Sequence, residues 1–310
     1  AEDVRREVPE YGIFVDDQVA RLGRSHPMVR SQFFSEEIDF GGGLFNPSRL
    51  GLMHGAHAAL ETPAPGKRYA FLIDLAGEDE SMRQGGAEVV LDNPGRDLTA
   101  VTIVELDFSL LGEDLVGKPI YKVVHRQLWQ GEKHSTLYAR LLSLAEVWQP
   151  EKIVVDASGV GAGVGSFLRD KLGERVIALQ FTRQLKSRLG WGFLAVVDTG
   201  RFQDFNPRGD PEKWQTNPLL ACVASEQDRL QALFYRQLAG IQAEVSPGPE
   251  RYLRWSVPEG ARDPEGGLLH DDLALSAAMC AILDEQSWHL PAQFALISAS
   301  DPILEMDGGF

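Results

Sequence analysis

The chain has 310 residues, with 30 Lys and Arg against 45 Asp and Glu (formal net charge −15), 44% hydrophobic residues and 24% charged ones. This is the make-up of a folded globular protein with room for one large domain, or a main domain and a small companion, and it excludes a disordered or fibrous chain. So negative a balance also argues against a protein that grips nucleic acid with a broad basic face of its own.

No apolar run approaches the roughly 20 residues a membrane-spanning helix needs, and the first residues lack the basic-then-apolar order of a signal peptide. Residues 1–60 form an appendage: a mixed helical stretch over 17–38 is interrupted by Pro27, a Gly-rich break follows at 41–43, and the TPAPG turn at 62–66 closes the segment. A main domain is expected over 61–310. The two cysteines, Cys222 and Cys280, sit in apolar, helical-looking stretches. They read as buried free thiols of a reducing cytoplasm, and two are too few for a paired-CxxC zinc site.

From residue 68 the pattern becomes strand-like. The run YAFLIDLA (69–76) is almost continuously apolar, as a strand buried on both faces must be. LTAVTIVELDF (98–108) alternates and is rich in β-branched residues, and IYKVVHRQL (120–128) makes a third strand. Residues 135–148 then place Leu137, Leu141, Leu144, Ala145 and Trp148 on one helical face, with Pro150 beyond the end. KIVVDA (152–157) is a fourth strand, a glycine-rich turn and helix run to Lys171, and RVIALQF (175–181) is a fifth strand.

A helix at 219–238, short strands at 241–245 and 252–256, and a final helix at 271–283 complete the order, with 204–217 read as loop. Three meandering strands, then helix, strand, helix, strand, is the order of an RNase H-like mixed five-stranded α/β sheet. Helix crossovers force the last two strands to be parallel.

Aspartates interrupt this apolar framework. Asp74 breaks the first strand, Asp156 ends the fourth, and Asp271 and Asp272 open the last helix just after His270. Alone, each has an ordinary explanation as a turn or helix cap. Together they are different, because the first and fourth strands are expected to be neighbours and a helix packed on the sheet can bring Asp271 to the same point. Several carboxylates so close cannot all ionise without cations. Hard oxygen ligands suit Mg²⁺ or Mn²⁺, and two such ions clamp the attacking water and leaving oxygen of a phosphodiester.

These segments carry a family resemblance. LIDLAG, RDLTAVTIVELD, IVVDASGVGAGV, FTRQLKSRLGWGFLAVVDTGRF and HDDLALSAAMCAIL resemble the nuclease domain of bacteriophage terminase large subunits over about residues 68–285. The resemblance implies an RNase H-like endonuclease that cuts double-stranded concatemeric viral DNA during genome packaging in the host cytoplasm, using Mg²⁺ or Mn²⁺, two ions in all. By position, Asp74, Asp156 and Asp271 match the family's acidic triad, Asp272 an accessory carboxylate, and Asp97 a further acidic residue. The segment over 78–96 is longer than a tight hairpin and departs from the pattern beside Asp97. Full terminase large subunits carry a GxxxxGK[ST] phosphate loop, which this sequence lacks. The first 60 residues resemble the trailing edge of the ATPase domain, so the expected partners are an ATPase domain or other terminase subunits, and the portal protein.

Arg183, Lys186 and Arg188, with Trp191 and Phe193 close by, form the densest basic cluster. They are expected to contact the phosphate backbone of DNA, with Arg251 and Arg254 around Tyr252 adding to it. His270 is a candidate for orienting Asp271, while His125 and His134 read as surface residues. The glycines of GVGAGVG fit a tight turn better than a pyrophosphate cradle, since Asp156 places negative charge where phosphate would lie. Two other readings stand beside the leading one: a Holliday-junction resolvase or transposase-like nuclease of the same fold, and a non-catalytic scaffold domain of a packaging motor.

Overall fold

The computed structural model describes residues 8–24, 26–34, 43–75, 98–109, 118–132, 134–159, 161–207, 225–246 and 252–288. Asp97, Cys222, Arg251 and the 78–96 segment lie outside these residues. Three helices come first: α1 (Pro9–Leu22), α2 (Pro27–Phe34) and α3 (Pro47–Leu52). The central sheet is built from β1 (Tyr69–Asp74), β2 (Leu98–Asp107), β3 (Ile120–Gln130), β4 (Lys152–Asp156), β5 (Val176–Leu179) and β6 (Phe202–Gln203). Between them run α4 (His134–Trp148), α5 (Gly161–Leu172) and α6 (Arg183–Asp198). The C-terminal part comprises α7 (Glu226–Gly240), a hairpin of β7 (Gln242–Val245) and β8 (Leu253–Ser256), then α8 (Asp272–Ala278) and α9 (Cys280–Leu283).

The sheet order is β5-β4-β1-β2-β3-β6. β1, β2 and β3 form an antiparallel meander, β4 is parallel to β1, and β5 is parallel to β4. This is an RNase H-like sheet, extended by one strand beyond the expected five. The extra strand, β6, is only two residues long and pairs parallel to the start of β3. So short a strand has no periodicity to reveal it, and it lies where α6 ends and the chain returns through Gly200 at φ +69°.

Every residue of β1 is buried because layers cover both faces of the sheet. Tyr69, Phe71 and Ile73 pack with Ile153, Val155, Leu141 and Leu168 under α4 and α5. Ala70 and Leu72 pack with Val154, Phe193, Leu273 and Ala277 under α6, α7 and α8. Removing one such aliphatic side chain from water is worth about 1.5–3 kcal/mol, so the alternation of faces is strongly fixed. It also decides where the aspartates point. Asp74 shares the parity of Ala70 and Leu72, and Asp156 that of Val154, so both leave the sheet on the side that α8 covers.

Residues 43–60 strap the β6 edge. Leu44, Phe45 and Met53 enter the larger core, and Arg49 makes two bonds to Asp198, at 2.7 and 3.0 Å. The Leu60 amide donates to the Val124 carbonyl at 2.8 Å. This strap buries His125, whose Nδ1 lies 2.8 Å from the Leu60 carbonyl oxygen, so His125 is a core residue and not the surface residue expected.

Two helix boundaries also differ from expectation. α7 starts at Glu226 because Ser225 and Asp228 form a reciprocal capping box. The last helix is not continuous, and turns at Met279 between α8 and α9.

Candidate metal centre

Asp74, Asp156 and Asp272 are each less than one-tenth exposed, and Asp271 lies beside them with its side chain 21% exposed. β1 and β4 are adjacent and in register, with Ile73 opposite Val155, which sets the two strand-end aspartates side by side. The third and fourth carboxylates arrive on α8. Its anchor is Ser276, fully buried, whose hydroxyl meets the Leu72 carbonyl and the Thr102 hydroxyl, both at 2.8 Å. Two residues earlier the Ala274 amide donates to Gln237 Oε1 on α7, at 3.2 Å. α8 is thus pinned to the centre of β1 and β2, with its N-terminus over the ends of the strands.

The local details leave carboxylate oxygens uncommitted. Asp271 occupies the N-cap position of α8 yet makes no capping bond with its side chain. Its Oδ2, like Oδ2 of Asp272, is buried without a hydrogen-bond partner, as is Nε2 of the neighbouring His270. Oδ1 of Asp272 accepts a long bond from the Leu98 amide at 3.4 Å, and Oδ1 of Asp156 accepts from the Ser158 amide at 2.8 Å. Buried carboxylate oxygens without donors are costly, and rare unless a ligand or ion completes them.

Electrostatics within the cluster follow from this crowding. Burial pushes the Asp74 carboxyl well above the usual range, the negative charges of Asp272, Asp156 and Asp271 push it further, and Lys186 opposes them. Burial raises Asp156 too, against the bonds from Ser158. Burial also lifts Asp272 to about 6, opposed by the charge of His270 and the Leu98 amide. Shifts of this kind mark carboxylates whose charges lack a counter-charge.

The glycines of GVGAGVG serve the approach of α5 to β4. A Cβ on Gly165 would come within 2.8 Å of the Ala157 Cβ, and one on Gly161 within 3.3 Å of the Asp156 carbonyl oxygen. Small residues here let the helix close over the strand end that carries Asp156.

The three basic residues of α6 separate. Thr182 caps the helix through a 3.1 Å bond from the Leu185 amide, which fixes where its first turns point. Lys186 reaches the acidic cluster, with Nζ 3.7 Å from Oδ2 of Asp271. Arg183 donates to Ser246 at 2.9 Å and lies over the Tyr252 ring at the hairpin. Arg188 is on another face of the helix and pairs with Glu285 at 3.4 Å. Arg254 is exposed on β8, Phe193 belongs to the core, and Trp191 packs against His26 with ring centroids 5.6 Å apart.

A divalent cation suits this donor set: hard oxygens, two of them unsatisfied, in an environment that disfavours bare negative charge. Among the described residues no three carboxylate, imidazole or thiol side chains are drawn tightly enough together to hold an ion. Lys186 pairs with Asp271, and the charge of His270 opposes that of Asp272.

No family model and no curated protein matches the chain. The chain is similar to several solved nuclease domains. The large terminase nuclease from thermophilic phage G20c with bound magnesium has 15% identity and a TM-score of 0.48, covering 77% of this chain and 96% of its own. The large terminase nuclease domain of Thermus phage P74-26 has 15% identity and a TM-score of 0.46, covering 76% and 92%. A mutant nuclease domain of the large terminase subunit of bacterial virus Sf6, with manganese and β-thujaplicinol, has 13% identity and a TM-score of 0.37, covering 79% and 93%. The RNase H-like assignment itself rests on the strand order and polarity described above.

Proposed function

We propose that the chain is a metal-dependent endonuclease acting on double-stranded DNA, the nuclease part of a terminase-like genome-packaging protein. The observation that carries this reading is the placement of Asp74, Asp156, Asp271 and Asp272 at one end of an RNase H-like sheet, with buried carboxylate oxygens left unpartnered. Asp74, Asp156 and Asp271 would hold Mg²⁺ or Mn²⁺, two ions in the fullest form of the proposal, and Asp272 would support them. Asp97 is proposed as a further ligand on the sequence resemblance alone. Bound ions supply Lewis-acid activation of water and stabilise charge on the phosphate.

The protein's own residues contribute position. The sheet fixes two carboxylates, Ser276 and Gln237 fix the helix that brings the others, and Asp74, Asp156 and Asp272 are buried from bulk water. Arg183 at the hairpin is the side chain best placed to meet a phosphate backbone beside this site, with Arg254 exposed on the same hairpin. With a charge of −15 the chain depends on a partner, an ATPase domain or another terminase subunit docked at the portal, to bring DNA to it. The expected setting is the host cytoplasm.

The test is cleavage of plasmid DNA in Mn²⁺ by the wild type and by Asp156→Ala. The proposal expects cutting by the former and its loss in the latter, and undiminished cutting by the variant would sink it. A scaffold reading draws on the net charge of −15, which suits contact with another protein of the motor. Calorimetry separates the two, because a scaffold has no reason to bind Mn²⁺.

A further inference from the structure

α6 breaks a general rule of helix electrostatics. Its first turns carry Arg183 and Lys186 and no acidic residue, although the positive end of the helix dipole disfavours cations there. Lys186 is nevertheless held with care. Its own carbonyl accepts the indole N–H of Trp255 at 2.8 Å, and its ammonium lies 5.7 Å from the centre of the same ring. A Cβ on Gly190, one turn on, would fall 2.4 Å from that indole nitrogen, so only glycine lets Trp255 lie across the helix here. The next residue, Ser187, accepts the Leu253 amide at 2.9 Å. The hairpin is therefore bolted to α6 at the turn that carries Lys186, and the lysine side chain leaves that turn toward Asp271, 3.7 Å away.

We infer that Lys186 is a resident counter-ion of the aspartate cluster, occupying in the metal-free protein part of the charge position that a divalent cation takes over. The inference rests on the metal-dependent reading above and goes beyond it, because it gives Lys186 a role in setting metal affinity that a phosphate contact would not have. It stands on two geometric observations. Lys186 sits within ion-pair distance of Asp271, whose Oδ2 has no hydrogen bond of its own. Its backbone is fixed by the bond from Trp255 while its side chain is 36% exposed, so the ammonium can move off Asp271 without unfolding the helix. By linkage, whatever free energy Lys186 gives the empty cluster is subtracted from the affinity of the incoming ion.

Lys186→Met, Lys186→Arg and, as a control on the same helix, Arg183→Met test the inference by Mn²⁺ calorimetry and by thermal unfolding in EDTA and in Mn²⁺. Lys186→Met is expected to bind Mn²⁺ on the order of tenfold more tightly than the wild type, since the competing cation is gone. It is also expected to melt lower in EDTA and to gain more than the wild type on adding Mn²⁺. Lys186→Arg keeps the charge and should restore wild-type behaviour, while Arg183→Met should shift affinity far less.

Mn²⁺ binding by Lys186→Met that equals or falls below the wild type overturns the inference, as does an equal gain in Arg183→Met. If the wild type itself binds no Mn²⁺, both this inference and the metal-dependent reading fail. If it binds and Lys186→Met binds no tighter, only the counter-ion role is lost.

Discussion

Two buried aspartate sites flank the β1–β2–β3 meander, one toward β4 and one toward β6, and they solve the problem of buried charge in opposite ways. Asp204 is fully buried, and so is its partner Arg126, which grips both carboxylate oxygens at 2.9 and 3.0 Å. Around that pair most polar neighbours are bonded in turn, although Arg126 Nε and the Tyr235 hydroxyl have no hydrogen bond. Gln227 exchanges two bonds with the Arg126 backbone, Gln231 donates to the Phe205 carbonyl, and the Phe234 ring lies 4.4 Å from the guanidinium carbon. The Asp74 cluster has four carboxylates, one lysine at its edge and unpartnered oxygens. A carboxylate matched one-to-one by a bidentate arginine belongs to the architecture. A surplus of carboxylates with no matching donors belongs to chemistry that supplies its own cation.

The comparison is broken most severely from the architectural side. Arg126→Ala leaves Asp204 buried and unpaired and should cost about 3–5 kcal/mol. Urea unfolding should show that loss equally in EDTA and in Mn²⁺, and a loss confined to one condition would mean the two sites are coupled. Asp156→Asn should do the reverse. Cleavage should fall by more than the roughly 10–100-fold seen when a mere supporting contact of a metal ligand is removed. Unfolding in EDTA should be no easier than for the wild type, since one repelling charge has gone.

pH sharpens the contrast further. Burial holds the Asp272 carboxyl up near 6, against an ordinary value of 3.8. The folded state therefore keeps its proton longer than the unfolded chain does. The stability this provides is complete below about pH 4 and is lost as pH rises toward about 6, up to roughly 2–3 kcal/mol at about 1.4 kcal/mol per unit. Buried His26, His57 and His125, whose pKa values burial lowers, act in the opposite sense on the acid side. They do so equally in Asp272→Asn, so the difference between wild-type and Asp272→Asn melting curves in EDTA reports the Asp272 carboxyl together with its coupling to Asp74. Parallel pH profiles for the two proteins would contradict the assignment.

Ser276→Ala should follow, costing about 1–3 kcal/mol for the buried groups left unpaired. It should lower cleavage as well, because α8 loses its grip on Leu72 and Thr102. Arg188→Ala should do least. Its exposed pair with Glu285 should matter by no more than about 0.5 kcal/mol, and plasmid cleavage should stay near the wild-type rate.

The parts of this picture that were legible in sequence share one property: they are local. Asp74 and Asp156 stand out because each interrupts a strand of otherwise continuous hydrophobic residues, and the order of strands and helices implied the neighbours of β1. Asp271 and Asp272 stood out at the start of an apolar helix. What escaped was made by distant pairs. Nothing near Arg126 points to Asp204, 78 residues away, and nothing near His125 points to the Leu60 carbonyl that helps to bury it. Ser276 looks like an ordinary small residue of an alanine-rich helix until it meets Leu72 and Thr102. The S-x-x-D pattern at 225–228 was present to be read and marks the start of α7. Lys186 and Arg188 look equivalent in a basic run, and only the direction of each around the helix separates them.

An aspartate cluster built for a divalent cation is tested most sharply by Mn²⁺ titration calorimetry on the wild type and Asp74→Asn. Saturable binding is expected for the wild type, and its loss or strong weakening in the variant, with the variant at least as stable as the wild type in EDTA. Absence of Mn²⁺ binding by the wild type, or equal affinity in the two proteins, would contradict it.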